Sequence, residues 1–157
     1  MANYLLKPVF EQVFGREFHS NVFEDRLEMQ KMVYLLQNMG ILVGGYNFLW
    51  YKHGPYSQTL QNDILRIQLA ENIKIEFSND AKRAIELLKR VLFKEEVSYS
   101  LAEWIECLGS LCYVKGNILP SSSTDEQILA ELEKRKPHLD HKEDNQIAIE
   151  TLHELFS

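Results

Sequence analysis

Cysteine is scarce in this chain, which limits the covalent and metal chemistry open to it. Of the 157 residues only Cys107 and Cys112 are cysteine. On a helix a spacing of five residues separates two side chains by about 140°, so these thiols cannot reach each other or one metal ion. We expect both to be small buried apolar side chains in a reducing environment.

Long apolar runs are also missing. No charged-then-apolar signal segment opens the chain, and its longest apolar run is far shorter than the roughly 18 residues that a membrane-spanning helix needs. The sequence therefore predicts a cytoplasmic location and no membrane partner.

The chain also lacks an excess of positive charge. Seventeen Lys and Arg stand against 23 Asp and Glu, a net charge of −6 with a pI near 5.4. Residues 1–76 sum to −1 (7 basic, 8 acidic) and residues 77–157 to −5 (10 basic, 15 acidic). This balance disfavours nucleic acid as a partner, because duplex binders are usually basic. A local basic patch created by folding, or an acidic face that meets a basic partner, stays open.

The common nucleotide and metal motifs are absent. Gly44-Gly45 is not followed by Gly-Lys-Ser/Thr, and the chain has no Gly-x-Gly-x-x-Gly. His138 and His141 flank Asp140 after Pro137, but a metal site also needs a third ligand held in fixed geometry. We predict no cofactor and no metal.

A catalytic centre is equally poorly supported. Ser57 follows His53 by four residues, yet the sequence offers no orienting carboxylate beside them and no Gly-x-Ser-x-Gly elbow. The position of Ser57 before an apolar-periodic segment favours a helix N-cap. We therefore predict no catalytic residues, and an enzyme with a cryptic site remains an alternative.

What the chain does contain is helical periodicity. The pattern predicts a mainly α, single globular domain over residues 1–157, with about seven helices and a small two-stranded, wing-like β element. Polar residues Gln30, Lys31 and Gln37 are assigned to the outward face of one helix. Helices are predicted over 4–14 and 23–39, after Ser57, from about Asp80, from Ser100 (a capping box with Glu103), from Thr124 (a capping box with Gln127) and from about Glu143. Strands are predicted over Tyr46–His53 and over 73–77.

One segment is richer in aromatic residues than a strand requires. Five aromatics fall within residues 46–56, around Gly54-Pro55. For structure, we expect Trp50 in the core, Gly54 and Pro55 in a rigid turn that ends the strand, and Ser57 as a helix cap. For recognition, we expect an exposed edge whose members, with two neighbours from the preceding helix, bind a partner: Tyr51, Lys52, His53, Tyr56, Gln30 and Lys31. A structural hinge and an interaction surface both remain open.

Two stretches resemble a known family. Glu28–Gln37, read Glu-Met-Gln-Lys-Met-Val-Tyr-Leu-Leu-Gln, is similar to the Gln-Lys helix of the Panacea (SocA-like antitoxin) domain and of the related YwgA-like bacterial and phage proteins. Residues 46–60, which contain Trp-Tyr-Lys-His-Gly-Pro-Tyr-Ser at 50–57 and end at Leu60, resemble the aromatic-x-x-Gly-Pro element that follows that helix. The Tyr-Ser after Gly-Pro is closer to the YwgA-like branch. With the connector between them, the matching stretches span residues 28–60, about a fifth of the chain.

The resemblance implies an α-rich fold that acts by binding a partner protein, either as an antitoxin that neutralises a cognate toxin or as a regulator associated with mobile elements. It does not name the partner, because Panacea antitoxins neutralise very different toxins. A second hypothesis is a winged-helix-like nucleic-acid-binding regulator, in which Lys31, Lys52 and Arg66 contact phosphates. The acidic balance argues against it.

Overall fold

Helices dominate the structure, a computed structural model that describes residues 3–67 and 75–156. Within these residues the chain forms seven α-helices and two short strands, which confirms the mainly α prediction. In chain order they are α1 (Leu6–Phe14), α2 (Phe23–Asn38), β1 (Leu49–Tyr51), β2 (Gly54–Tyr56), α3 (Gln58–Leu65), α4 (Asn79–Leu92), α5 (Leu101–Tyr113), α6 (Asp125–Arg135) and α7 (Lys142–Leu155). A π-helical segment, Val114–Ile118, continues α5.

The helix ends follow the capping chemistry of the sequence. Ser100 and Thr124 each accept a hydrogen bond from the backbone three residues on, and Glu103 and Gln127 return it, so both predicted capping boxes are present. Gly15 ends α1 in the left-handed conformation, with φ of 68°. These local signals set the helix boundaries within a residue or two of the predicted ones.

Helix α5 is the centre of the fold, and α2 lies against it. Helices α4, α6 and α7 and strand β2 also contact α5. Every residue from Trp104 to Cys112 is buried, and so is every residue from Glu28 to Leu36 in α2. A helix covered on all sides has no solvent face, so even polar side chains of α2 are enclosed. Cys107 and Cys112 are buried, free thiols in α5, as expected.

The β element is a hairpin, and its second strand was wrongly placed by the sequence analysis. Tyr51 pairs with Gly54 across a two-residue loop, Lys52-His53, and Leu49 pairs with Tyr56. Gly54 and Pro55, expected to break the strand, instead form β2, because a two-stranded ribbon has only edge strands and these tolerate proline. Of the strand predicted over 73–77, residues 75–77 form none, and Ile73 lies outside the described residues.

Two glutamines of α2 hold both ends of the hairpin segment. Gln30 Nε2 donates to the Ser57 carbonyl at 2.9 Å, and Gln30 Oε1 accepts from the Ser57 N–H at 2.9 Å. Seven residues on, Gln37 makes the same pair of bonds to the backbone of Tyr46, at 2.9 and 3.2 Å. The hairpin is thereby fixed on α2 through its backbone.

In the described part of the chain, no helix is long and apolar enough to cross a bilayer.

Candidate partner-binding pocket

The six residues predicted to recognise a partner converge on one surface pocket. It lies between the hairpin and the first half of α2 and has a volume of about 310 Å³. The described residues that line it are Phe23, Arg26, Leu27, Gln30, Lys31, Tyr51, Lys52, His53, Tyr56 and Gln61. The proximity inferred from sequence between the hairpin edge and the Gln-Lys helix is therefore present in the fold.

Aromatic rings form the walls of this pocket. Tyr51 and Tyr56 stack across the hairpin with ring centroids 5.0 Å apart, and Phe23 meets His53 edge to face at 5.8 Å. Phe23 is 51% exposed and Tyr51 62% exposed, although both are large apolar side chains. Such ring pairs hold their orientation before any ligand arrives, which lowers the entropy lost on binding.

The residues at the floor of the pocket are not oriented as expected. Gln30 and Lys31 were assigned to an outward helix face, and this was wrong, because the hairpin covers that face and leaves both residues buried. The amide of Gln30 is engaged with the backbone of Ser57, so its first role is structural. Ser57 caps α3 as predicted, its hydroxyl accepting from the Leu60 N–H at 3.1 Å.

Lys31 is a buried cation under the hairpin. Its Nζ donates to the Pro55 carbonyl at 2.8 Å. Burial, opposed by the nearby Glu106 and assisted by Lys136, lowers the pKa of Lys31 to about 7. Lys31 therefore supports the hairpin backbone from below and carries only a partial charge near neutrality.

A second buried lysine holds the loop of the hairpin. Lys136 Nζ donates to the carbonyl of Tyr51 at 3.1 Å and to that of Lys52. It also lies 5.0 Å from the centre of the Trp50 ring. Trp50, expected in the core, is half-buried at its edge and packs on Tyr113 with centroids 5.6 Å apart. Lysines from α2 and from the end of α6 thus bind backbone carbonyls of the hairpin.

Glu106 is the carboxylate of this buried cluster. His138 Nε2 lies 2.9 Å from Glu106 Oε2, Lys136 Nζ lies 3.9 Å from the same oxygen, and His53 Nδ1 lies 3.9 Å from Oε1. Burial lowers the pKa of His53, against the pull of Glu106, so burial favours the neutral imidazole.

Gly54 permits the close packing of hairpin and α5. Its φ of 93° is in the left-handed region, and a Cβ built on it would lie 2.7 Å from Ser110 Oγ. Only glycine meets both demands without strain. This explains in physical terms why Gly stands before Pro in the element singled out from sequence.

A metal centre finds no support here. No group of three or more His, Cys, Asp or Glu within the described ranges is arranged to hold a metal ion. His138 faces Glu106, whereas His141 faces Asp144 with Nδ1 3.2 Å from Oδ2. The two histidines of the His-x-Asp-His run therefore serve different parts of the fold.

A Ser–His–Asp group does occur, but in the wrong geometry for catalysis. Ser98 Oγ lies 3.1 Å from His141 Nδ1 and donates to Asp144 Oδ2 at 2.7 Å, and the same His141 nitrogen approaches Asp144. A triad needs the serine and the aspartate on opposite ring nitrogens. Asp144 also accepts from the backbone N–H groups of Ser98 and Tyr99, which marks this group as structural.

Several pocket residues were missed by the sequence analysis. Phe23 and Leu27 were recoverable, because with Gln30 and Lys31 they repeat at i, i+4 and i+7/i+8 and so share one helix face. Glu106 and Lys136, which contact the hairpin but do not line the pocket, carried no such signal. They reach the hairpin from more than 50 residues away along the chain.

Comparison of the chain with family models, with curated proteins and with solved structures returned no match.

Proposed function

We propose that this chain is a protein-binding module whose partner inserts a side chain into the pocket between the hairpin and α2. The observation that carries this proposal is the convergence of exposed aromatic rings on a prearranged pocket, with the hairpin backbone fixed beneath them. Large aromatics at the rim of a small pocket are typical of interface hot spots.

The biological role we propose is that of an antitoxin of the Panacea or YwgA-like type. Its support is the resemblance in residues 28–37 and 46–60, together with the order of the elements in the fold. Helix α2 is followed by a ten-residue connector and then by the aromatic hairpin that contains Gly54-Pro55. The partner would be a toxin encoded beside the gene.

The test is co-expression with the products of neighbouring genes, followed by affinity pull-down and a growth assay. We expect one product to be toxic alone, harmless with this chain and retained on the column. Tyr51→Ala should abolish both retention and neutralisation. Leu49→Ala is the matched control, since Leu49 lies on the same strand, is 69% exposed and does not line the pocket. If no neighbouring product is toxic and none is retained, the antitoxin role is wrong.

One observation favours the enzyme alternative. His53 lines the pocket and lies 3.9 Å from the Glu106 carboxylate, as a general base with an orienting partner would. Against this, no described Ser, Thr or Cys lines the pocket, and the Ser57 hydroxyl is 2% exposed and engaged as a cap. Neutralisation that survives His53→Gln but not Tyr51→Ala supports binding; loss with His53→Gln in a variant that still retains the partner supports catalysis.

The nucleic-acid alternative loses two of its three expected phosphate contacts. Lys31 is buried beneath the hairpin, and Arg66 lies 3.8 Å from Asp63. Only Lys52 remains exposed without a described acidic partner. A protein partner therefore fits the described surface better than a polyanion does.

A further inference from the structure

Arg26 differs from every other arginine of the chain. The other five arginines each lie within 4.0 Å of a carboxylate, on Asp25 and Glu28, Asp63, Asp80, Glu154 and Glu131 respectively. Arg26 forms no ion pair with any described carboxylate. Its guanidinium lies 5.7 Å from the Phe23 ring centre, and its Nη1 donates to the Ser20 carbonyl at 2.9 Å. An oriented guanidinium without an anion therefore lies beside the aromatic wall.

Lys52 supplies a second cation at the same pocket. It is exposed at the tip of the hairpin, and its ammonium group has no hydrogen bond or ion pair with any described residue. Its backbone carbonyl is held by Lys136, so the position of the residue is fixed while its side chain is free to reach a ligand.

The charge at this pocket opposes that of the whole chain. Arg26 and Lys52 line it as cations, Lys31 adds a partial positive charge, and none of its described lining residues is Asp or Glu. The chain as a whole carries 23 acidic and 17 basic residues. A local positive potential draws an acidic group to this pocket and disfavours a basic group there.

We propose, on the basis of the proposed function, that the pocket binds an acidic segment of the partner protein. One large apolar side chain of that segment enters between Phe23, Tyr51 and Tyr56. Carboxylates on neighbouring positions meet the guanidinium of Arg26 and the ammonium of Lys52. The apolar walls supply affinity, and the two cations supply register and selectivity.

Nucleic acid shares the negative charge but fits less well. A single strand is bound along a groove by a series of cations and stacked bases. Here Arg26 and Lys52 lie at one pocket of about 310 Å³, enough for a side chain, in a chain of net charge −6. An oligonucleotide is therefore an alternative outcome of the experiment.

The experiment is selection of a random 12-residue peptide display library on the immobilised full chain. We expect the selected pool to be enriched in peptides that place Phe, Trp, Tyr or Leu within about three residues of at least two Asp or Glu. For a selected peptide, fluorescence anisotropy should show about a tenfold loss of affinity with Lys52→Glu and a similar loss with Arg26→Gln. Added salt should weaken the binding.

Matched controls remove the same charges elsewhere. Lys89→Glu and Arg83→Gln lie on the exposed side of α4, and we expect each to change affinity by less than about twofold. Thermal unfolding of all four variants shows whether a loss of binding is a loss of fold.

Three results would overturn the inference. They are a selected pool without acidic enrichment, affinity that is unchanged by Lys52→Glu and Arg26→Gln, and preference for a 15-nucleotide oligo-dT over every selected peptide. Different results would contradict the proposed function. If a neighbouring gene product is retained equally by wild type and by both charge variants, the binding function stands and the acidic-segment inference falls. If no product is retained while acidic peptides are selected, the antitoxin role falls instead.

Discussion

A Cβ atom added to Gly54 would come within 2.7 Å of the Oγ of Ser110, across the contact between β2 and α5. Gly54 also has a φ of 93°, so an alanine there meets two separate penalties. The hairpin that forms the pocket is therefore pressed against the central helix at a point where there is no space for a side chain.

Gly54→Ala should destabilise the protein by about 2–4 kcal/mol, from left-handed backbone strain and overpacking together. The measurement is urea unfolding at pH 7. Gly40→Ala is the control for strain alone, because Gly40 has a φ of 88° but open space around its Cβ position. Adding Ser110→Ala to Gly54→Ala should restore the part of the unfolding free energy that is lost through the clash. A double-mutant cycle that shows no coupling between the two positions would contradict this account.

Gln30→Leu should lower the free energy of unfolding by about 2–4 kcal/mol, because it leaves the buried N–H and C=O of Ser57 without their side-chain partner. Gln37→Leu breaks the equivalent pair at Tyr46, but Gln37 is only half-buried, so water can replace the amide and the cost should be smaller. Chemical denaturation of both variants gives the comparison. Equal losses of unfolding free energy in the two variants would show that burial of the glutamine does not set the cost.

Lys31→Met should flatten the rise of stability with pH between about 7 and 10. The pKa of Lys31 is about 7 in the fold and 10.5 in its ordinary state, so over this range the unfolded chain binds more protons and stability increases with pH. The slope due to Lys31 is at most about 1.4 kcal/mol per pH unit. The ionisable groups around it are Glu106, Lys136 and His53.

The measurement is denaturant unfolding at half-unit steps of pH for wild type and for Lys31→Met. Lys52→Met removes an exposed lysine from the same hairpin and should keep the wild-type slope. If Lys31→Met keeps it as well, Lys31 is not the group that titrates.

Asp144→Asn should destabilise the fold at pH 7 by about 1–3 kcal/mol. Asp144 Oδ2 accepts from the N–H of Ser98 at 3.0 Å, from the N–H of Tyr99 at 2.9 Å and from the Ser98 hydroxyl. These bonds hold the pKa of Asp144 below its ordinary 3.8, against burial. The stability that they add is therefore present above that pH and is lost as pH falls below it.

Thermal unfolding at pH 7 and at pH 3 is the measurement, and the difference between wild type and Asp144→Asn should shrink at the lower pH. Asp140→Asn serves as the control, since Asp140 is exposed and has no hydrogen bond to the described residues. A deficit that is as large at pH 3 as at pH 7 would argue against a role for the charge.

The sequence predicts the local features well and the long-range ones poorly. The capping boxes at Ser100 and Thr124 and the glycine stop at Gly15 depend on residues at most three positions apart, and each is present. The prediction that Gln30 and Lys31 face outward was wrong because the hairpin and α5 cover that side of the helix. Helical periodicity cannot foresee a helix enclosed on all sides, since its polar residues then face backbone groups rather than water.

The residues of the candidate site were likewise predicted where they are close in sequence and missed where they are distant. The hairpin residues and the Gln-Lys pair were identified because they are close in sequence and rich in aromatics. The cluster of Glu106, Lys136 and His138 was not, because these residues come from α5 and from the segment after α6, far along the chain from the hairpin. No periodicity relates residue 52 to residue 136.

The way in which the hairpin is anchored has a consequence for how this surface can evolve. Lys31 and Lys136 bind carbonyl oxygens of residues 51, 52 and 55, and every amino acid carries such an oxygen. The side chains at positions 51, 52 and 56 can therefore be exchanged by mutation while the loop keeps its shape. The chemistry of this exposed surface can therefore change in few mutational steps while the fold keeps its stability.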